Sequence, residues 1–122
     1  MEWGQPPLTV DPGEISNYGP RNANDGALVA SKIVRAGYAL LFGVTLCNTN
    51  ASTRYFMFFD AATVPANTAV PLFFIDVASN SAKGVSFIPS RTFEAGIVIV
   101  NSTTATSLTI GSADSFIDAQ YL

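Results

Sequence analysis

The residues able to do chemistry are few, and most are carboxylates. Asp60 and Asp76 each close or interrupt an apolar run, and Asp114 and Asp118 stand four apart. Two carboxylates flanking one bond would serve glycoside hydrolysis. Asp114, Asp118 or Asp60 with backbone oxygens would be the raw material of a calcium site, but no dense Asp-x-Asp-x-Asp-Gly spacing supports one. The favoured role for these acids is strand-end capping and turn bonding. Cys47 is the only cysteine, and the chain has no histidine. A nucleophilic cysteine wants a histidine or another group that lowers its pKa. Cys47 is therefore expected to act as a small buried hydrophobe, and no intrachain disulfide can form. Thr103, Thr104 and Thr106 form a turn cluster with no base beside it. Phosphate loops, dinucleotide fingerprints and metal-ligand spacings are missing. No enzymatic activity and no cofactor or metal is expected.

Elements able to position a site are plentiful, and they are strands. Short apolar runs rich in β-branched and aromatic residues are separated by Asn, Thr, Ser, Pro and Gly. Strands are expected over 28–35, 38–47, Arg54–Asp60, 70–78, 84–88, 93–100, 108–110 and 115–122. Turns are expected at Asn48–Ser52, Ser79–Ser81 and Pro89–Arg91. Alternation places Phe42, Val44 and Leu46 on one face. Phe73, Ile75 and Val77 form a second apolar row, and Ile97 and Ile99 (or Val98 and Val100) a third. The aromatic run Tyr55, Phe56, Met57, Phe58 and Phe59 fits a strand buried on both faces, or one facing the core and a partner. With no convincing helical period, the expected fold is an all-β single antiparallel sandwich, either jelly roll or immunoglobulin-like Greek key.

Residues 1–27 differ from the rest. Four prolines, four glycines and several Asn and Asp make this stretch a poor helix or central strand. It is read as an extended arm, and 28–122 as the sandwich domain. Trp3, Leu8, Val10, Ile15 and Tyr18 are its expected partner-binding anchors, since aromatic and aliphatic plugs dominate association energetics. The first seven residues lack the basic patch and apolar stretch of a secretory signal. No apolar run reaches the ~18 residues of a membrane span.

Composition bears on partners. The chain has 122 residues, of which 48% are hydrophobic and only 12% charged, with a net charge of −3. The charged share is about half the usual ~25%. Asn, Thr, Ser and Ala must supply much of the exterior. A surface covered by other subunits is depleted in Lys, Glu and Asp in the same way. Six basic residues, no two adjacent, do not make a phosphate-binding patch, so no nucleic acid is expected as a partner. Asn50-Ala51-Ser52 and Asn101-Ser102-Thr103 match glycosylation sequons and are read as turn composition.

From Asn48 onward the order of motifs is Asn48-Thr49-Asn50-Ala51, then Arg54-Tyr55-Phe56-Met57-Phe58-Phe59-Asp60-Ala61-Ala62-Thr63-Val64-Pro65-Ala66 and Val70-Pro71. Later come Gly96-Ile97-Val98-Ile99-Val100, Ser102-Thr103-Thr104 and Asp118-Ala119-Gln120-Tyr121. Over about the last ninety residues the chain resembles small β-sandwich structural proteins of tailed bacteriophages, of the head decoration or cement type. The resemblance implies a virion component on the capsid surface, made in the cytoplasm of the bacterial host. Its partners would be the major capsid protein and copies of itself, with a trimer the preferred oligomer. A tail or fibre module that binds a host glycan or receptor is the alternative.

Overall fold

The computed structural model describes residues 19–122. Eight strands and no helix occur among them: β1 (Arg21–Ala23), β2 (Ser31–Ala36), β3 (Ala39–Asn48), β4 (Arg54–Asp60), β5 (Phe73–Val77), β6 (Ser81–Phe93), β7 (Gly96–Ser102) and β8 (Ser115–Tyr121). They form two four-stranded sheets, β1-β8-β3-β6 and β2-β7-β4-β5. Every pairing is antiparallel. The fold is thus the expected sandwich. Its strand order, 1-8-3-6 over 2-7-4-5, is that of an eight-stranded jelly roll. Arg21–Ala23 lies inside the segment read as an arm, yet pairs with Tyr121–Ala119.

The core between the sheets is built by alternation. Leu41, Val44 and Leu46 from the first sheet meet Phe56, Phe58, Ile97 and Ile99 from the second, all buried. Phe73, Ile75 and Val77 share one inward row. Phe42 departs from the expected parity. β3 spends two steps, Leu41 to Gly43, against one step of β8, Tyr121 to Gln120. This bulge puts Leu41 on the core side and leaves Phe42 half-buried outside that cluster.

β6 corrects a second expectation. The turn expected at Pro89–Arg91 does not end a strand; β6 continues to Phe93. Across the same bulge, Leu41 pairs with Arg91 and Gly43 with Ser86, so residues 87–90 loop out of the ladder. Pro89, which follows a cis peptide bond, sits in this excursion, and Ile88 beside it is 92% exposed. Proline removes a ladder donor, but antiparallel pairing resumes beyond it because β3 still offers unpaired groups. The short strand expected over 108–110 is reduced to a single bridge, Ser102 to Ile110.

β4 and β7 are buried on both faces. On the side away from the core, Met57, Phe59, Val98, Val100 and Leu108 form a second apolar cluster with Tyr55, Ala61, Val64 and Ala69. The cover comes from the chain's own loops. Leu108 is the plug, held by Thr68 N–H to Leu108 O at 2.7 Å and Leu108 N–H to Ala69 O at 2.8 Å. Two loops without regular structure thus do the work of a third layer over the second sheet.

Candidate functional site

The best-built polar arrangement closes one end of the sandwich. Each sheet sends in a fully buried asparagine from the end of a strand. Asn48, last residue of β3, has its Nδ2 within donating distance of Ser52 O (2.8 Å), Val77 O (3.1 Å) and Ala78 O (3.2 Å). Its Oδ1 accepts from Asn50 N at 2.9 Å. Asn101, in β7, presents Nδ2 to Ser112 O (2.8 Å), Asp114 Oδ1 (3.1 Å) and Ser115 Oγ (2.7 Å). Asp114 also accepts from Asn50 Nδ2 at 2.8 Å, and its carbonyl accepts from Thr49 Oγ1 at 2.7 Å. Loop 111–115 is thereby tied to both sheets.

Arg54 begins β4 and is buried here, its Nη2 4.0 Å from Asp114 Oδ2 and its Nη1 donating to Thr53 O at 3.3 Å. Arg54 Nε and Asn101 Oδ1 have no conventional partner among the described residues. Both pack on Gly111: a Cβ there would sit 2.0 Å from Asn101 Oδ1 and 3.2 Å from Arg54 Nε. Glycine is needed for this approach, and its Cα–H faces the orphaned oxygen as a weak donor. Every carboxylate and amide in the plug is engaged in holding chain to chain.

Asp60, Asp76 and Asp118 are engaged too. Asp60 Oδ1 accepts from Ala95 N (2.7 Å) and Gly96 N (3.3 Å), and Oδ2 from Glu94 N (3.1 Å). Above all the Ala95 N–H holds its carboxyl below the usual carboxylate range; desolvation opposes this, and the Glu94 and Gly96 N–H groups add to it. With the folded pKa depressed, Asp60 stabilises the fold fully above its ordinary value. That contribution is lost as pH falls through the lower folded value. Asp60→Ala is therefore expected to be less stable than wild type at neutral pH, with the gap narrowing in acid. Denaturant melts across a pH series check this; a gap independent of pH would contradict it.

Asp76 pairs with Lys83 at 3.8 Å and lies opposite Tyr55 at the far end of β4 from Asp60. Five residues of strand, about 17 Å at ~3.4 Å each, separate the two rows, so the structure does not bring this carboxylate pair together. Asp118 accepts from Asn24 Nδ2 (3.0 Å) and Gln120 Nε2 (2.9 Å). Among the described residues no three Asp, Glu, Cys or His side chains gather as a metal site. Cys47 is half-buried, opposite Ala82 and Phe116.

Of the two sequons, Asn101 is fully buried and Asn50 is bonded to Asp114, so both serve the plug. Sequence reasoning singles out neither Asn48 nor Asn101 as a buried structural residue. The signal available is an amide closing an apolar strand, as in Val98-Ile99-Val100-Asn101 and Leu46-Cys47-Asn48.

Exposed apolar side chains mark the other candidate surface. Val70 (76%), Leu72 and Phe74 emerge at every second position beside and along edge strand β5, with Tyr55 edge-on to Phe74 at 5.7 Å. Ile88, Tyr38 (61%) and Leu122 are exposed elsewhere. The expected anchors Trp3, Leu8, Val10, Ile15 and Tyr18 lie outside the described residues. No protein-family model, curated protein or solved structure matches this chain.

Proposed function

We propose that this chain is a non-enzymatic structural protein of a tailed-bacteriophage virion, a capsid decoration or cement protein that bridges capsid subunits. The observation that carries this reading is the exposed apolar row Val70, Leu72 and Phe74 on a scaffold otherwise short of charge. Apolar side chains grouped along one edge favour a covered surface. The body suits such a role, since a double-sided second sheet and a polar plug make a rigid block. The jelly roll recurs in viral shells, lectins and cupins, so the topology alone selects none of them.

The mechanism is mechanical. The sandwich sits over a junction between capsid subunits, and residues 1–18 reach neighbours, both the major capsid protein and further copies of this chain. Many copies act together, so individually weak contacts sum. Electron microscopy of tailed-phage particles carrying a labelled copy tests the assignment. Label at regular positions over the head is the expected result. Label confined to tail or fibre would overturn it in favour of a receptor-binding module.

A further inference from the structure

We propose that the free edge of β5 pairs antiparallel with the same edge of a second copy of this chain, about a two-fold axis at Phe74. The proposal rests on the reading above, in which the row Val70, Leu72 and Phe74 is a covered surface, and it names what covers it.

Four strands lie at sheet edges, and three are poor acceptors. β1 is three residues long. β2 is bulged between Ile33 and Arg35, and its Lys32 is already paired with Asp25. β6 is interrupted by the excursion at 87–90 and by Pro89, which has no N–H. β5 keeps one register against β4 from Phe73 to Val77.

Bonds already made show which groups of β5 face outward. Leu72 N–H donates to Phe58 O at 2.9 Å, so Phe58 turns its backbone groups toward β5, where Phe73 lies opposite. Phe73, Ile75 and Val77 then turn theirs toward β4, and Phe74 and Asp76 turn theirs away. The Lys83 ammonium agrees with this parity, since it reaches the Asp76 carbonyl from β6 at 2.6 Å. Among the described residues, Phe74 N–H, Phe74 O, Asp76 N–H and Leu72 O have no hydrogen-bond partner.

That pattern selects one register. With Phe74 opposite Phe74 of the second copy, the two exchange both backbone bonds. Asp76 then faces Leu72 of the second copy, and its N–H donates to that Leu72 O. The reverse bond, Leu72 N–H to Asp76 O, is not needed, because Phe58 O and Lys83 already hold those two groups. Every unpartnered group is used. Centring the axis on Phe73 would call on Leu72 N–H, and centring it on Ile75 would call on Asp76 O; both are taken. Lys83 therefore excludes a neighbouring register rather than closing the edge.

Side chains agree. Leu72 and Phe74 are 57% and 38% exposed. Pairing brings the two Phe74 rings together, each with Tyr55 edge-on at 5.7 Å. Phe87 packs 5.8 Å from Phe73, so the exposed Ile88 beside it borders the same edge. Asp76 and Lys83 lie at one end of this edge, and Arg91, 4.3 Å over the Phe73 ring, lies at the other. Arg91 has no carboxylate partner among the described residues. An antiparallel copy sets Arg91 toward the end that carries Asp76, whereas a parallel copy would set the two Arg91 side by side. Such a contact closes at two copies, not at the three that the resemblance implies.

The test follows light-scattering mass over a concentration series of the purified full chain without capsids. A rise from one chain mass to two is expected, with a midpoint below about 100 μM. Phe74→Lys and Phe74→Glu, each with unchanged circular dichroism, should move the midpoint up about tenfold. Mixing the two should return it to within about threefold of wild type, because a two-fold axis at residue 74 sets these side chains against each other. In the wild type, hydrogen exchange at the amides of Phe74 and Asp76 should slow as concentration rises. One chain mass throughout, wild-type association by Phe74→Lys, or no recovery in the mixture overturns the proposal. If the variants do not fold, exchange at Phe74 and Asp76 that is independent of concentration overturns it. A monomeric chain that binds heads, and loses them in Phe74→Lys, overturns the pairing while leaving the reading above intact, with the row covered by the capsid protein instead.

Discussion

Gly96→Ala is expected to lower unfolding free energy by about 4 kcal/mol, as much as losing a large core side chain. Gly96 opens β7 at φ +150°, in the region that side chains rarely adopt. A Cβ there would sit 2.5 Å from Ala61 O and 2.6 Å from Arg35 O. Both obstacles are backbone, one from the segment leaving β4 and one from β2, so no rotamer change relieves them. The same glycine donates to Asp60 and accepts from Ala61 N at 3.1 Å. Strain at Gly96 therefore reaches three strands of the second sheet. Gly84→Ala is the control: its Cβ would meet only Val44 O, at 3.9 Å, and a change of under about 1 kcal/mol is expected. Denaturant midpoints of the two variants check the contrast; equal midpoints would contradict the geometry.

Asn101→Ala should cost about 3 kcal/mol, because its loss strands several buried groups at once. Ser112 O, Asp114 Oδ1 and Ser115 Oγ lose their shared donor, and the Arg54 guanidinium is left in a looser pocket. The damage should be local before it is global. Loop 111–115 is fastened to the second sheet through Asn101 and to the first through Thr49 and Asn50. Hydrogen exchange should accelerate first at the amides of Asp114 and Ser115, and at Val29, which exchanges hydrogen bonds with Ser115. Uniform acceleration across all strands would contradict a separable plug.

Much of this fold is legible in the residues. Arg54–Asp60 is bounded in the structure as its aromatic run suggests, and Phe73, Ile75 and Val77 keep their row. Alternation is a sound guide where the ladder is regular. It fails at Phe42, because the bulge between Leu41 and Gly43 shifts the parity of β3 against both its neighbours; Gly43, a lone glycine inside the strand, is its local mark. Pro89 reads as a stop; pairing with β3 on both sides of residues 87–90 restores the strand, and that long-range gain is invisible in a window of ten residues. The choice between jelly roll and Greek key stays open in the sequence because strand order is set by pairing across the whole chain. The double-sided burial of β4 is legible in its aromatics, but not that Leu108 and its loop supply the cover. The polar plug escapes sequence reasoning for a related reason. Asn48 and Asn101 are 53 positions apart, and what joins them to Asp114 is the closing of the sandwich.

Co-sedimentation with purified heads tests the central claim, that residues 1–18 fasten a rigid body to a larger shell. Cutting before Gly19 keeps β1 on β8 and the Asp25–Lys32 ion pair, both of which a cut at 27 would remove. The full chain should pellet with the heads, while residues 19–122, folded by circular dichroism, should stay in the supernatant. Equal pelleting of the two, or none by the full chain, would contradict the account.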